Sequence, residues 1–385
     1  MSSVGNPQLV GQFMHPIIDS DTQRDDPWQR NYFQPPQFKK LVPRTAPLID
    51  IRPSVSEPNY LPDNLLKTHG FGIVKHQSTV ISSDLEALGE TNSVAAYHEE
   101  IQRLVKETTG AKKVFVLATV LRRGKRAPEA FTLPEGLARL DKESAGGNKS
   151  TYKVAPSKSE GSKLVALAAP VRVPHLDFTP LGARQTIRFQ GQEIYNYAVG
   201  SGVIGAENQI CQRHGVSPQS KESDSFVARY YNENGKLGPR YAAYSVWRPL
   251  RRVVRDPLSL ASRKASDGCS DYVYWPYENK IPGTSTNKVP ETPELDGDFL
   301  KEFAMLGVQE ESPQSSDTSS DTDLKFYYLS DQEPDEVLLV KLFDSAALGE
   351  EAQHAGAPWH ASPEIGSVTD DHPRESIELR VLAFW

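Results

Sequence analysis

The stretch VRVPHLDF, residues 171–178, decides how this chain is read. An extended run of β-branched residues meets Pro174, and His175 and Asp177 follow two apart. Side chains two apart on extended backbone share a face, so this imidazole and carboxylate converge. The pattern alone is weak. With nine His and 50 acidic residues in the chain, a single His-x-acid match is expected by chance, and there are two. The other, His98 with Glu100, lies in a helical pattern, where residues two apart point about 200° apart around the axis. His98 therefore reads as a surface helix residue. His175 and Asp177 are the candidate metal pair.

A mononuclear iron site of the facial-triad type needs a second His and leaves coordination positions open. Downstream of Asp177 stand His214, His354, His360 and His372. The C-terminal stretch PRESIELRVLAFW, residues 373–385, places Arg374, Ser376 and Arg380 on one strand face. Arg374 and Ser376 offer a guanidinium fork and a hydroxyl, suited to the far carboxylate of 2-oxoglutarate. His360 precedes Arg374 by fourteen residues, room for a strand, a turn and a return. His372 is too close to Arg374, and His354, in a Gly/Ala-rich loop, is the reserve. Cys211 and His214 lack further cysteines for a structural zinc site and read as helix residues. On spacing alone, His175 with Asp177 reads equally as a surface ion pair, and Arg374 as an ordinary salt-bridge partner.

Strand signals extend outward from these anchors. They fall at 113–121, 164–173, 184–190, 240–248, 325–330, 336–343 and 376–384. Helical patterning is concentrated at 82–110, opened by a Ser83/Glu86 capping box, and at 201–214. The expected fold is β-rich α+β, a jelly roll or barrel flanked by helices. Residues 1–49, rich in Pro, Gln and Asn, read as an extended arm that could support a homodimer. Residues 50–385 read as a single domain, with polar loop insertions at 144–163 and 311–323.

Composition narrows the function. The formal charge of −7 argues against a general nucleic-acid or anionic-membrane binder. Two cysteines cannot form a disulfide scaffold and suit a reducing compartment. No signal peptide or membrane span is evident, so a cytoplasmic protein acting on a small molecule is expected. The chain lacks a phosphate-binding G-x-x-x-x-G-K-[ST] loop, a G-x-G-x-x-G turn, a G-x-S-x-G elbow and an H-E-x-x-H helix.

Seven blocks in order resemble the fungal hydroxylase/desaturase family of non-heme iron oxygenases, which includes gibberellin desaturase-like and cephamycin methoxylation-associated proteins. They are DIR (50–52) with THGFGIVKH (68–76), TGAKKVFVLATVLRR (109–123), VPHLDFTPLGA (173–183), RYAAYSVWRPL (240–250), RDPLSL (255–260), FYYLSDQEPDEVLLVKLFDS (326–345) and PWHASPE…HPRESIELRVLAFW (358–385). The resemblance implies a double-stranded β-helix (a cupin-like jelly roll) using iron(II), 2-oxoglutarate and O2. It implies hydroxylation, desaturation or ring closure at an unactivated C–H of a secondary-metabolite or amino-acid-derived substrate, with release of succinate and CO2. Carried over, the metal ligands fall on His175, Asp177 and His360, and the cosubstrate-binding pair on Arg374 and Ser376. Arg248 and Arg380 are further candidates for cofactor binding. Trp247, Tyr327 and Phe343 are candidates for the substrate wall, although strand aromatics are more often core. Ser245 stands where members often carry Asn, and Leu324–Lys325 where many carry His; both departures bear on the substrate. The competing readings are an iron oxidase that does not use 2-oxoglutarate, and a metal-free binding or scaffold protein on the same fold.

Overall fold

YAAYSVWRP (241–249) and SIELRVLAF (376–384) carry apolar side chains at both odd and even positions, so both faces of the strands they form must be covered. The computed structural model describes residues 9–19, 22, 26–30, 36, 38, 40–81, 91–122, 169–218, 220–262, 271–283, 298–309, 324–349, 352–366 and 374–385. In chain order its elements are β1 (Val10–Ile18), β2 (Leu41–Asp50), α1 (Pro62–Thr68), β3 (Phe71–Lys75), α2 (Thr91–Thr109), β4 (Lys113–Arg122) and β5 (His175–Leu176). Four helices follow: α3 (Pro180–Phe189), α4 (Gln192–Gly200), α5 (Val203–Arg213) and α6 (Glu222–Tyr230). Then come β6 (Tyr241–Pro249), β7 (Ser259–Ala261), β8 (Tyr272–Ile281), β9 (Phe299–Gln309), β10 (Phe326–Tyr328), β11 (Glu336–Asp344), β12 (Trp359–Ala361) and β13 (Ser376–Phe384).

The strands make two sheets. One runs β3-β11-β6-β13-β4 and is antiparallel throughout. The other runs β1-β2-β10-β7-β12-β5-β9-β8, and a short β1–β9 pairing returns its first strand to its seventh. Trp247, Leu338 and Val340 of the five-stranded sheet pack with Leu258, Leu260 and Leu329 beside the other sheet. On the opposite face, Tyr244, Val246, Ile377, Leu379 and Val381 pack against Tyr97, Ile101, Leu104 and Val105 of α2. Helices α3 to α6 cover one end, around Ile187, Ala198, Ile204, Ile210 and Val227. This is the expected jelly roll flanked by helices.

The segment 184–190, expected as a strand, is helical. Thr179 caps α3, its Oγ accepting from Gly182 N at 3.0 Å, and Pro180 occupies the first turn. The four-residue spacing of Arg184 and Arg188 then brings both guanidinium groups onto buried Glu207. Of 164–173, the described part makes only isolated main-chain bonds, such as Ser362 N to Val171 O at 2.7 Å. The segment expected as an extended arm supplies β1 and β2; prolines at 16, 43 and 47 interrupt the alternation that would have announced them. His98 is half-buried, its Nε2 2.8 Å from Thr119 Oγ1, because α2 lies close on β4. Ser83, Glu86 and both loop insertions lie outside the described residues.

Two predictions follow from this packing. A Cβ at Gly182 would collide with the backbone carbonyl of Glu302. Gly182→Ala should therefore destabilise by about 1–3 kcal/mol in urea unfolding, despite the helix preference of Ala. His15 is buried in β1, with Nδ1 donating to Leu306 O at 2.8 Å, and burial pushes its pKa down to about 4. It is neutral when folded and gains a proton on unfolding between pH 4 and its ordinary value. The unfolded state binds more protons there, so stability rises with pH across that window and falls on acidification. Replacing His15 with Phe should flatten this slope by up to about 3 kcal/mol in denaturation curves between pH 4 and 7.

Candidate functional site

Strand β12 lies between β7 and β5, and its central residue His360 pairs directly opposite His175. The ring centres are 4.3 Å apart. Asp177 follows β5 just before the Thr179 cap of α3. Its Oδ1 is 3.9 Å from His175 Nε2 and its Oδ2 is 3.6 Å from His360 Nε2. Among the described residues these three form the one group able to hold a metal ion, with ligand atoms within 4.8 Å of one another.

The protonation pattern suits that task. His175 Nδ1 donates to Val173 O at 2.8 Å, and His360 Nδ1 faces Pro358 O at 3.4 Å. Both rings thus present the Nε2 lone pair to the centre. Burial, with help from His360, pushes the His175 pKa down to about 4, so the ring is neutral at ordinary pH. Burial alone would raise the pKa of Asp177, but the Arg380 guanidinium, with Nε 2.9 Å from Oδ2, and the two imidazoles hold it well below the carboxylate range. Two imidazoles that turn Nε2 to the centre, and one carboxylate, are the donor set of a metal that keeps open positions.

Beside this group is a cavity, partly open to solvent, lined by both histidines, Trp247, Ser362, Arg374 and Glu378 among others. Arg374 is buried. Its Nη1 donates to Asp256 O at 3.1 Å and Ser362 Oγ at 2.9 Å, while its Nε has no partner. Burial, with Arg122 nearby, lowers its pKa to about 9. Ser376 Oγ, on the same strand face, is also buried without a partner. The indole of Trp247 lies 5.2 Å from the Arg374 guanidinium.

The remaining candidates fall elsewhere. Arg248 is turned outward beneath α2. It donates to Tyr97 Oη at 3.1 Å and to His76 O and Pro334 O at 2.8 Å each, so it clasps the fold and does not face the cavity. Its neighbour Trp247 faces inward because successive strand residues alternate. Phe343 packs with Tyr241 in the core under the helices, past a register shift in β11. Tyr327 packs on His69 and Phe71. Neither ring lines the cavity. Arg380 reaches the ligand Asp177 and Glu378. His214, at the end of α5, stacks on Phe226 and Tyr230.

Sequence reasoning missed Arg122, Glu378 and Asp256. Arg122 and Glu378 line the cavity and pair across β4 and β13 at 3.5 Å. Glu378 shares its strand face with Arg374 and Arg380, and that parity could have found it. Asp256 adopts the left-handed region, φ 49°. Its carbonyl thereby meets Arg374 while its carboxylate pairs with Arg172. Only the tertiary structure reveals that double role.

Fold and site together define a jelly-roll protein with a candidate two-histidine, one-carboxylate metal centre. A family profile described as an oxidoreductase/YMDC permease-like domain matches residues 29–197 and 297–384. The chain is 30% identical over 347 residues to the gibberellin cluster GA4 desaturase of Gibberella fujikuroi, covering 87% of this chain and 85% of that protein. It is 30% identical over 375 residues to oxidoreductase chry3 of Gibberella zeae, covering 91% of each. In fold it resembles the iron and alpha-ketoglutarate-dependent endoperoxidase NvfI, with a TM-score of 0.52, 20% identity and 99% of each chain covered. The chain belongs to the fungal hydroxylase/desaturase family. No helix of the described residues is long and apolar enough to cross a membrane.

Arg380 fixes one oxygen of Asp177 and so sets the direction of the carboxylate. Arg380→Leu should weaken Mn(II) binding roughly 10–100-fold by calorimetric titration, the usual cost of losing a partner that orients a metal ligand. Unchanged or tighter binding would show that the guanidinium only repels the ion.

Proposed function

We propose that this protein is an iron(II)- and 2-oxoglutarate-dependent oxygenase that oxidises an unactivated C–H bond of a small molecule. The carrying observation is the pairing of two unsatisfied features in one cavity. A two-histidine, one-carboxylate donor set faces it, and a buried guanidinium with an unpartnered Nε lines it. A divalent metal answers the first, and a dicarboxylate reaching from the metal answers the second.

His175, Asp177 and His360 would hold the iron, and Arg374 with Ser376 would take the far carboxylate of 2-oxoglutarate. When bound, iron(II) and 2-oxoglutarate supply with O2 an oxidant able to break a C–H bond, releasing succinate and CO2. The chain's own part is placement. Arg374 is immobilised by Asp256 and Ser362, so a carboxylate arriving there meets a fixed fork. Trp247 lies against that fork and gives it an apolar wall. Asp177 remains ionised through Arg380 and so stays available as a ligand. The target C–H is selected by how the cavity walls hold the substrate. The names desaturase and hydroxylase/desaturase carried by the relatives support C–H oxidation as the reaction class.

An anaerobic titration with iron(II) and then 2-oxoglutarate tests this reading. Wild type should develop the visible charge-transfer band of the chelate. His360→Ala should abolish it, and Arg374→Ala should require at least tenfold more 2-oxoglutarate. A folded, iron-loaded wild type without the band would move the assignment to an oxidase that does not use 2-oxoglutarate; no iron binding at all would move it to a metal-free binding protein.

A further inference from the structure

Lys301 is buried in β9 and has no use in the chemistry proposed above. It shares a strand face with Phe303 and Met305, and Met305 pairs with His175. Lys301 therefore lies on the metal-facing side, four residues or about 13 Å along the strand from that pair. Its Nζ is 3.1 Å from the ring centre of Phe178 and 4.7 Å from that of Phe303. Phe178 directly follows the ligand Asp177.

The Lys301 amine lacks an anion among the described residues. Acids on its strand and the neighbouring one are occupied: Glu302 accepts from Thr179 Oγ1 at 2.6 Å, and Glu278, on β8, pairs with Lys221 at 2.7 Å. Burial holds the Lys301 pKa well below the usual lysine range; of the charges near it, Arg380 pushes the same way, and Asp177, which Arg380 already engages, opposes it. Aromatic faces attract a cation but do not replace a counter-charge in a desolvated place. A buried amine on the metal-facing side, set against Phe178 and Phe303 with Tyr277 stacked behind Phe303, is chemistry waiting for an anion with an apolar body.

We infer that Lys301 anchors a carboxylate of the substrate, so that the substrate class is a small apolar acid. The acid's carboxylate lies on Lys301, its body against the rings, and its oxidised carbon near His175, Asp177 and His360. This rests on the oxygenase reading and adds the substrate's charge to it. The contact is a charge-assisted hydrogen bond and involves no covalent step.

The test uses decanoic acid, 1-naphthoic acid and abietic acid, each beside its methyl ester, on the iron(II)- and 2-oxoglutarate-loaded protein without oxygen. At least one acid should perturb the chelate band with a Kd tenfold or more below that of its ester. Lys301→Met should weaken the acid tenfold or more and leave the ester unchanged, and Lys301→Arg should restore part of the preference. The same pairs are titrated by ligand-detected NMR on the metal-free chain. A missing chelate band thus counts against the cofactor alone, while NMR still reads the lysine. Acids and esters binding alike, no acid binding in either format, or an acid preference kept by Lys301→Met would each overturn the inference.

Discussion

Everything at the candidate centre depends on one cross-strand pair, His360 opposite His175. The two strands that carry it are three and two residues long, so their own main-chain bonds do little to hold the register. The neighbours hold it. β7 flanks β12 on one side, β9 flanks β5 on the other, and β9 is itself pinned to β8 over ten residues. A slip of one residue would turn His360 to the far face of the sheet and leave Asp177 with one imidazole. The Thr179 cap then ends the strand at once, which puts Asp177 on the last residues before α3 and stops it from continuing into the ladder.

The five-stranded sheet divides its labour by face. Outward residues of β13 are Ile377, Leu379 and Val381, closed over by α2. Inward residues are Ser376, Glu378 and Arg380, in line with Arg374 ahead of the strand. The apolar face supplies stability through burial. The polar face adds little, because paired charges taken out of water roughly cancel their desolvation cost. What it gains is direction: Arg380 orients Asp177, and Arg172 with Asp256 frames the place where Arg374 is held.

Against that pattern, two buried basic groups stand out. The Nε of Arg374 meets no partner and the Nζ of Lys301 lies on aromatic faces, whereas Arg248 is satisfied by neutral oxygens, Arg184 and Arg188 share Glu207, and Arg240 takes Asp344. In the function proposed above, these two groups take the ligands. The two lie on different sheets, so the cosubstrate and the substrate can be held from opposite walls.

The chain's local chemistry was sufficient for the long strands β4, β6, β11 and β13 and for α2 and α5; it set His175 and Asp177 on one face and favoured His360 and Arg374 by spacing, while the family resemblance carried their assignment. Those features depend on side-chain parity, helical period and residue type, which are properties of neighbouring residues. The sequence could not show β9, whose FLKEFAML composition suits a helix until β8 pairs with it. Nor could it show α3 in place of a strand, since Thr186 and Ile187 favour strand locally and the Thr179–Pro180 cap with the Glu207 pairing overrides them. Which of two adjacent residues faces the cavity was likewise decided by tertiary structure. Trp247 turns in, while Arg248 turns out to clasp Tyr97 and His76, because only packing between sheets and helices defines inside and outside. Distances between residues hundreds of positions apart are set by register and helix docking, and no local pattern carries that information.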